Sequence, residues 1–341
     1  MERCIFEGFF RLLGLSLIVL IDSYYFNQFY QILNADVYLG FIAISNKILI
    51  STPKGEYKAQ SDLLSTPLFS ARKQFLDLPQ NLSAKSRNSK FSIVLATYER
   101  PQCFKRVFAH LIKHRPNNTE IIVSDDCSPS NVKRSLLEQI MNDHQKEDVY
   151  VIRHKKSFGA FHTKLDGFLF SVGDFIMSID DDDFFDDQYF IELKETTIKS
   201  LSNNKDLNFI IALDFPYIKK WIKLPVSLNN MISGFHNHVD FAFRRSLLAN
   251  VDYPPQNVEI IRDDAPLMIP LYMQSNSSQI LYYPNKYKYL VDRLCPSRHQ
   301  SNTYLSKRRQ YLNGYEFLCG YMKSINRTDF EPLVNAAYRI K

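Results

Sequence analysis

The sequence predicts an α/β protein: a mostly parallel central sheet with helices on both faces, preceded by an N-terminal extension. Three observations carry that prediction. Between Phe91 and Asp183, apolar runs of strand length alternate four times with runs of helical period. The strand-like runs are apolar throughout, as expected where both faces of a strand are covered. Three of those runs end on polar or acidic clusters, and a parallel sheet brings such ends to one rim, where ligands of open α/β sheets bind.

The elements follow in order. Residues 1–90 read as an extension. Leu12–Ile21 (LLGLSLIVLI) is apolar but shorter than the ~20 residues a spanning helix needs. If Asp22 is tolerated, the stretch continues to Ala35. A membrane anchor or interfacial helix near residues 5–34, with membrane contact through the N-terminus, is one reading; a buried helix of the fold is the other. Val37–Ile44 and Lys47–Thr52 are strand candidates, and Asn81–Lys90 (NLSAKSRNSK) reads as a linker or surface loop.

From Phe91 the character changes. FSIVLAT is a buried strand, and Pro101 opens a helix whose Phe104, Val107, Phe108, Leu111 and Ile112 share one face. EIIVSDD (Glu120–Asp126) is a second strand. The next helix carries Val132, Leu136, Leu137, Ile140 and Met141 on one face. VYVIRH is a third strand, Phe161–Val172 a helix, and DFIMSID a fourth strand. This places the main domain at 91–315 and a C-terminal helix or tail at 316–341.

Composition bounds the function. The chain has 341 residues, 45% hydrophobic and 23% charged, which is globular rather than disordered. The net charge of +6 is concentrated late, at Lys286, Lys288, Arg293, Arg298, Lys307, Arg308 and Arg309. A basic segment beside an acidic cluster suits a phosphate-bearing ligand. No zinc-finger spacing or basic helical stripe indicates nucleic acid. The five cysteines are widely spaced, without a CxxC pair, so neither a zinc ribbon nor a dense disulfide framework is supported. The N-terminal apolar stretch and four Asn-x-Ser/Thr sequons suit a membrane-associated, Golgi or secretory setting ahead of a cytoplasmic one.

The most informative stretch is Gly173–Phe185, GDFIMSIDDDDFF, a greasy strand ending on four aspartates. Adjacent carboxylates repel, so clustering them at a strand end requires a cation or a donor-rich ligand to offset them. In an extended strand Asp180 and Asp182 would project to the same side.

Four stretches in order, FSIVLATYERP, IIVSDDCSPSN, SFGAFHTKLDGFLFSVGDFIMSIDDDD, and RRSLL followed by IRDDAPL, resemble the family 2 glycosyltransferases. Their fold is GT-A, a Rossmann-like nucleotide-diphospho-sugar domain. The resemblance covers Phe91 to Asn302 and implies a metal-dependent, inverting glycosyltransferase of the hexosyl or N-acetylhexosaminyl type, with a UDP-sugar donor and a glycan, lipid or protein acceptor.

The resemblance also implies roles. Thr97, Tyr98, Glu99 and Asp126 would line the nucleotide end, with Asp126 on the base and Lys164 near the diphosphate. The family usually has glycine where Cys127 stands. Asp180 and Asp182 form a DxD motif for ribose and a Mn2+ or Mg2+ ion, with Asp181 between them on the donor side and Asp183 as the usual third acid. Asp264 matches the general base, Asp263 its acidic neighbour, and His299 a late residue returning over the diphosphate or metal. His236, His238 and Asp240 fall on the acceptor side. Trp221 is the only tryptophan and lacks the Gln-x-x-Arg-Trp setting of processive members, so a non-processive enzyme fits. Two alternatives stay open. A sugar nucleotidyltransferase would carry a Gly-rich loop that ATYERPQC lacks. An inactive glycan- or partner-binding domain would not need Asp180, Asp182 and Asp264.

Overall fold

The computed structural model describes residues 3–6, 19–22, 67–79, 89–144, 147–214, 241–260, 264–275, 277–285, 289–291, 295, 304–326, 331, 334, 335 and 338. The chain divides into two units, Met1–Gly55 and Glu56–Lys341. In the first, strands β1 (Arg3–Phe6) and β2 (Val19–Asp22) pair antiparallel, Arg3 opposite Asp22. The helix expected near 5–34 is therefore not found where that stretch is described: branched Val19 and Ile21 suit a strand. The strand candidates at 37–44 and 47–52 lie outside the described residues. No helix among the described residues is long and apolar enough to cross a membrane.

The second unit opens with α1 (Pro67–Lys73) and the short β3 (Leu76–Asp77). The expected alternation follows: β4 (Phe91–Thr97), α2 (Pro101–His114), β5 (Thr119–Asp125), α3 (Asn131–Asp143), β6 (Val149–His154), α4 (Ala160–Phe170) and β7 (Phe175–Asp180). Then come β8 (Asp183–Phe185), α5 (Tyr189–Asn203), β9 (Phe209–Asp214), β10 (Phe241–Arg244), a 3-10 turn (Arg245–Asn250), α6 (Asp264–Met273), β11 (Ile280–Asn285), β12 (Tyr289–Val291) and α7 (Tyr304–Ser324).

Eight strands form one sheet in the order β11-β9-β10-β7-β4-β5-β6-β3. The four central strands are parallel, as expected, while β10 runs antiparallel to β7 and β9, and β3 antiparallel to β6. Leu76 pairs with His154, so the sheet begins before residue 91, where the sequence placed the domain boundary. Likewise α7 runs through the boundary expected at 315–316.

Both faces of the central strands are covered. Ile93, Leu95, Ile121 and Val123 join Phe104, Val107, Phe108 and Leu111 of α2 and Leu137 and Ile140 of α3 in one core. On the other face α4 packs on β4 and β5. That approach needs Gly167: a Cβ there would come within 2.3 Å of Val94. The face of α3 differs from expectation by one residue. Val132 is 64% exposed and Lys133 is buried, because the lysine ammonium sits 3.2 Å from the Phe104 ring centroid and donates to Thr97 of β4.

Candidate active site

The acid run sits where the strand order reverses. Successive strands β4, β5 and β6 step outward on one side, and the chain returns to lay β7 on the other side of β4. In register, Ala96 of β4 lies beside Asp180 and Thr97 beside Asp125. The C-terminal ends of these strands form one rim at the switch point of the sheet.

The strand does not continue through the acids. β7 stops at Asp180, Asp181 and Asp182 form a turn, and β8 starts at Asp183. The same-side projection expected of Asp180 and Asp182 along one strand gives way to this turn, which still brings Asp180, Asp182 and Asp183 together. Their carboxylate oxygens lie within 4.8 Å of one another. Such a set of hard oxygen donors fits a divalent cation of the Mg2+ or Mn2+ kind.

Three side-chain cations from distant parts of the chain offset these acids. Lys164, buried in α4, places Nζ 3.1 Å from Asp180 Oδ1. Arg100, ahead of α2, puts one terminal nitrogen on Asp182 and the other on Asp181. Lys133 Nζ donates to Thr97 Oγ1 at 2.6 Å, and that hydroxyl donates to Asp181. Asp181 is thus turned inward, 1% exposed, as a support for the rim. Burial pushes its pKa up, to about 6, against the opposing pull of Arg100 and the Thr97 hydroxyl. Burial likewise pushes Lys133 down, to about 7, against Asp181 and Asp125.

The Asp125–Ser128 turn borders the same rim. Asp125 accepts from the Ser128 amide at 3.0 Å and from Arg153 at 3.2 Å, the self-capping expected of an Asx-type turn. Cys127 has φ of 60°, in the left-handed region that favours glycine. Glu99 clips onto this turn, donating its amide to Ser128 Oγ at 2.7 Å and accepting from the Ser130 amide at 2.8 Å. Tyr98, between Thr97 and Glu99, is half-buried.

Asp126 is held by four hydrogen bonds. One oxygen accepts from His154 Nδ1 (2.9 Å) and the Phe158 amide (2.7 Å); the other accepts from Ser157 Oγ (2.7 Å) and the Gly159 amide (3.0 Å). Gly159 has φ of 90°, which favours glycine. Burial alone would raise the Asp126 pKa, but the bonds from His154, Ser157 and Phe158 outweigh it and hold it below its ordinary value. These four bonds take up the acceptor sites of the carboxylate.

His154 continues the network inward. Its Nε2 lies 2.9 Å from Asp166 Oδ2, so both ring nitrogens face carboxylates and both donate. Burial opposes the charge, yet the bonds to Asp126 and Asp166 raise His154 to about 9. Arg72 of α1 forks onto Asp166 and also donates to His162 Nδ1 at 2.9 Å, while His162 Nε2 donates to the Val258 carbonyl at 2.8 Å. A continuous buried chain therefore joins Asp126 to α1 and to the 251–260 loop.

Residues 92–211 match the sequence family described as Glycosyl transferase family 2. An uncharacterized glycosyltransferase of Haemophilus influenzae is 29% identical over 119 residues, which is 35% of this chain and 37% of that protein. Among solved structures, S. aureus TarS 1–349 in complex with UDP-GlcNAc is similar at 18% identity and a TM-score of 0.49, covering 67% of this chain and 65% of that one. A Pyrobaculum calidifontis mannosyltransferase in complex with GDP-Man and Mn2+ is similar at 14% identity and a TM-score of 0.47, covering 87% and 80%.

The matched segment contains Thr97, Tyr98, Glu99, Asp126, Lys164 and the acids Asp180 to Asp183, all gathered at or behind one rim. Beyond it, Asp264 is the first residue of α6. Asp263, His236, His238, Asp240 and His299 lie outside the described residues. So do the basic positions 286, 288, 293 and 298. Residues 289–291 and 295 are held in place: β12 pairs with β8, Val291 opposite Asp183, and Cys295 is disulfide-bonded to Cys103 of α2. Sequence reading missed Arg100, Lys133, His154, Asp166 and Arg72 as parts of the site.

Proposed function

We propose that the protein transfers a sugar from a nucleoside-diphosphate donor, UDP-linked, to a hydroxyl on a glycan, lipid or protein. Transfer inverts the anomeric centre and is non-processive. The observation that supports this best is the convergence of Asp180, Asp182 and Asp183 at the switch point of the sheet, beside Lys164. These acids, with His299, would hold a Mn2+ or Mg2+ ion, which when bound neutralises charge on the departing nucleoside diphosphate.

The chain's own residues supply the rest. Thr97, Tyr98, Glu99 and Asp126 border the nucleotide end. Lys164 carries positive charge to the diphosphate side through its contact with Asp180. Asp264, with Asp263 beside it, takes the proton from the acceptor hydroxyl as it attacks the anomeric carbon. His236, His238 and Asp240 contribute on the acceptor side.

The test is nucleotide release from UDP-, GDP- and dTDP-sugars with Mn2+, Mg2+ or EDTA, followed by the anomeric configuration of the product. Metal-dependent release from one donor and an inverted product are expected. Release indifferent to EDTA, or a retained anomer, contradicts the corresponding part of the reading.

A further inference from the structure

A second group of metal-ligating side chains, distinct from the acid rim, is made of residues to which nothing above gives a role. His110 and His114 stand four apart on α2, one turn along a common face. Their rings are 4.6 Å apart. Asp187, two residues beyond β8, brings Oδ1 to 3.6 Å from His110 Nε2 and 3.4 Å from His114 Nε2. The Phe185 carbonyl lies 2.9 Å from His110 Nε2.

We propose that His110, His114 and Asp187 form a binding site for a zinc-class divalent cation, with the Phe185 carbonyl or solvent completing the shell. In a tetrahedral site with metal–ligand bonds of about 2.0–2.1 Å, neighbouring ligand atoms sit roughly 3.3–3.4 Å apart. The two nitrogen-to-oxygen separations are within a few tenths of an ångström of that edge. The donor set also differs in kind from the acid rim: imidazole nitrogens favour zinc, cobalt or nickel, whereas the all-oxygen rim favours magnesium or manganese.

The site is held yet reachable. His110 packs against Phe184 at 4.5 Å and Phe185 at 4.7 Å, while the Asp187 side chain is 62% exposed. Burial lowers the His110 pKa, with His114 and Lys113 acting the same way and the Phe185 carbonyl and Asp187 opposing. A neutral imidazole binds a metal through one ring nitrogen and keeps its proton on the other, so His110 would offer Nε2 and hold its proton on Nδ1. Phe185 ends the strand that Asp183 begins, so an ion here ties β8 to α2 and fixes one edge of the acid rim.

The test uses the full chain, stripped with EDTA and returned to millimolar Mg2+ to satisfy the acid rim. Zn2+ is titrated by calorimetry, and Co2+ serves as an absorption probe of coordination. One equivalent of Zn2+ is expected, with the intense visible bands of low-coordinate Co2+. His114→Gln and the exposed Asp187→Asn should each weaken Zn2+ binding at least tenfold, an order-of-magnitude figure for disturbing a metal shell. Asp182→Asn should leave it unchanged. Absence of Zn2+ binding by the wild type, or equal binding by both His114→Gln and Asp187→Asn, overturns the proposal.

Discussion

Arg100 holds Asp182 in an ion pair, and its other terminal nitrogen holds Asp181. The guanidinium thus places a positive charge on a carboxylate that a divalent cation would share. It also keeps a nearly buried carboxylate, Asp181, compensated.

Arg100→Ala is therefore expected to move two measurements in opposite directions. Mn2+ binding without nucleotide should tighten, because a competing internal cation is gone. Stability should fall by about 2–3 kcal/mol, less than for a fully buried pair because Arg100 is partly exposed. Calorimetric Mn2+ titration and urea melts of the same variant check both. Weaker Mn2+ binding would show that Arg100 supports the ion rather than competing with it.

His154 gives the fold a pH dependence on the alkaline side. Its pKa is raised from 6.5 to about 9, so the folded state binds the proton more tightly than the unfolded chain. Its contribution is full below pH 6.5 and is lost as pH rises through about 9. At about 1.4 kcal/mol per pKa unit the loss is roughly 3 kcal/mol. Thermal melts from pH 6.5 to 9.5 should show falling stability in the wild type and a flatter profile in His154→Asn. Equal slopes would remove His154 from the account.

Cys127 tests the reading of the Asp125–Ser128 turn. A left-handed conformation costs a non-glycine residue about 1–2 kcal/mol. Glycine loses roughly 0.4–1 kcal/mol through a freer unfolded chain. Cys127→Gly should therefore stabilise by up to about 1 kcal/mol, seen as a small rise in urea midpoint with unchanged slope. A loss of stability would mean that the thiol contributes packing the turn requires.

The Cys103–Cys295 disulfide closes a separation of 192 residues. Loop-closure entropy sets a ceiling near 5 kcal/mol for such a link. Because Cys295 lies four residues after Val291, the partner of Asp183, reduction should loosen β12 first. Hydrogen exchange with and without reductant is expected to deprotect 289–291 more than β4 or β5. Uniform deprotection would argue for a global effect.

The parallel core was legible because its strands are apolar on both faces, and the acid run announced the rim. The cations were not. Arg100 and Lys133 lie 82 and 49 residues before Asp182, and only the crossover of β7 back beside β4 brings them to it. His154 was within reach: VYVIRH ends on the same rim as FSIVLAT and EIIVSDD, and a charged strand end there deserved the same reading. The shift of the α3 face from Val132 to Lys133 was hidden because a lysine buries its stem only when its ammonium has a destination, here Thr97. Strand β3 is two residues long, too short to carry any period, and Arg72 before it has no local signature.

The central claim is that Asp180, Asp182 and Asp183, at the end of β7 and the start of β8, hold the donor's cation. The most direct measurement is nucleotide release from the preferred donor by wild type and Asp182→Asn, each with Mn2+ and with EDTA. The account predicts Mn2+-dependent release that falls at least a hundredfold in Asp182→Asn, on the order of 3 kcal/mol of transition-state stabilisation. Release that persists in EDTA, or an Asp182→Asn variant as active as wild type, would contradict it.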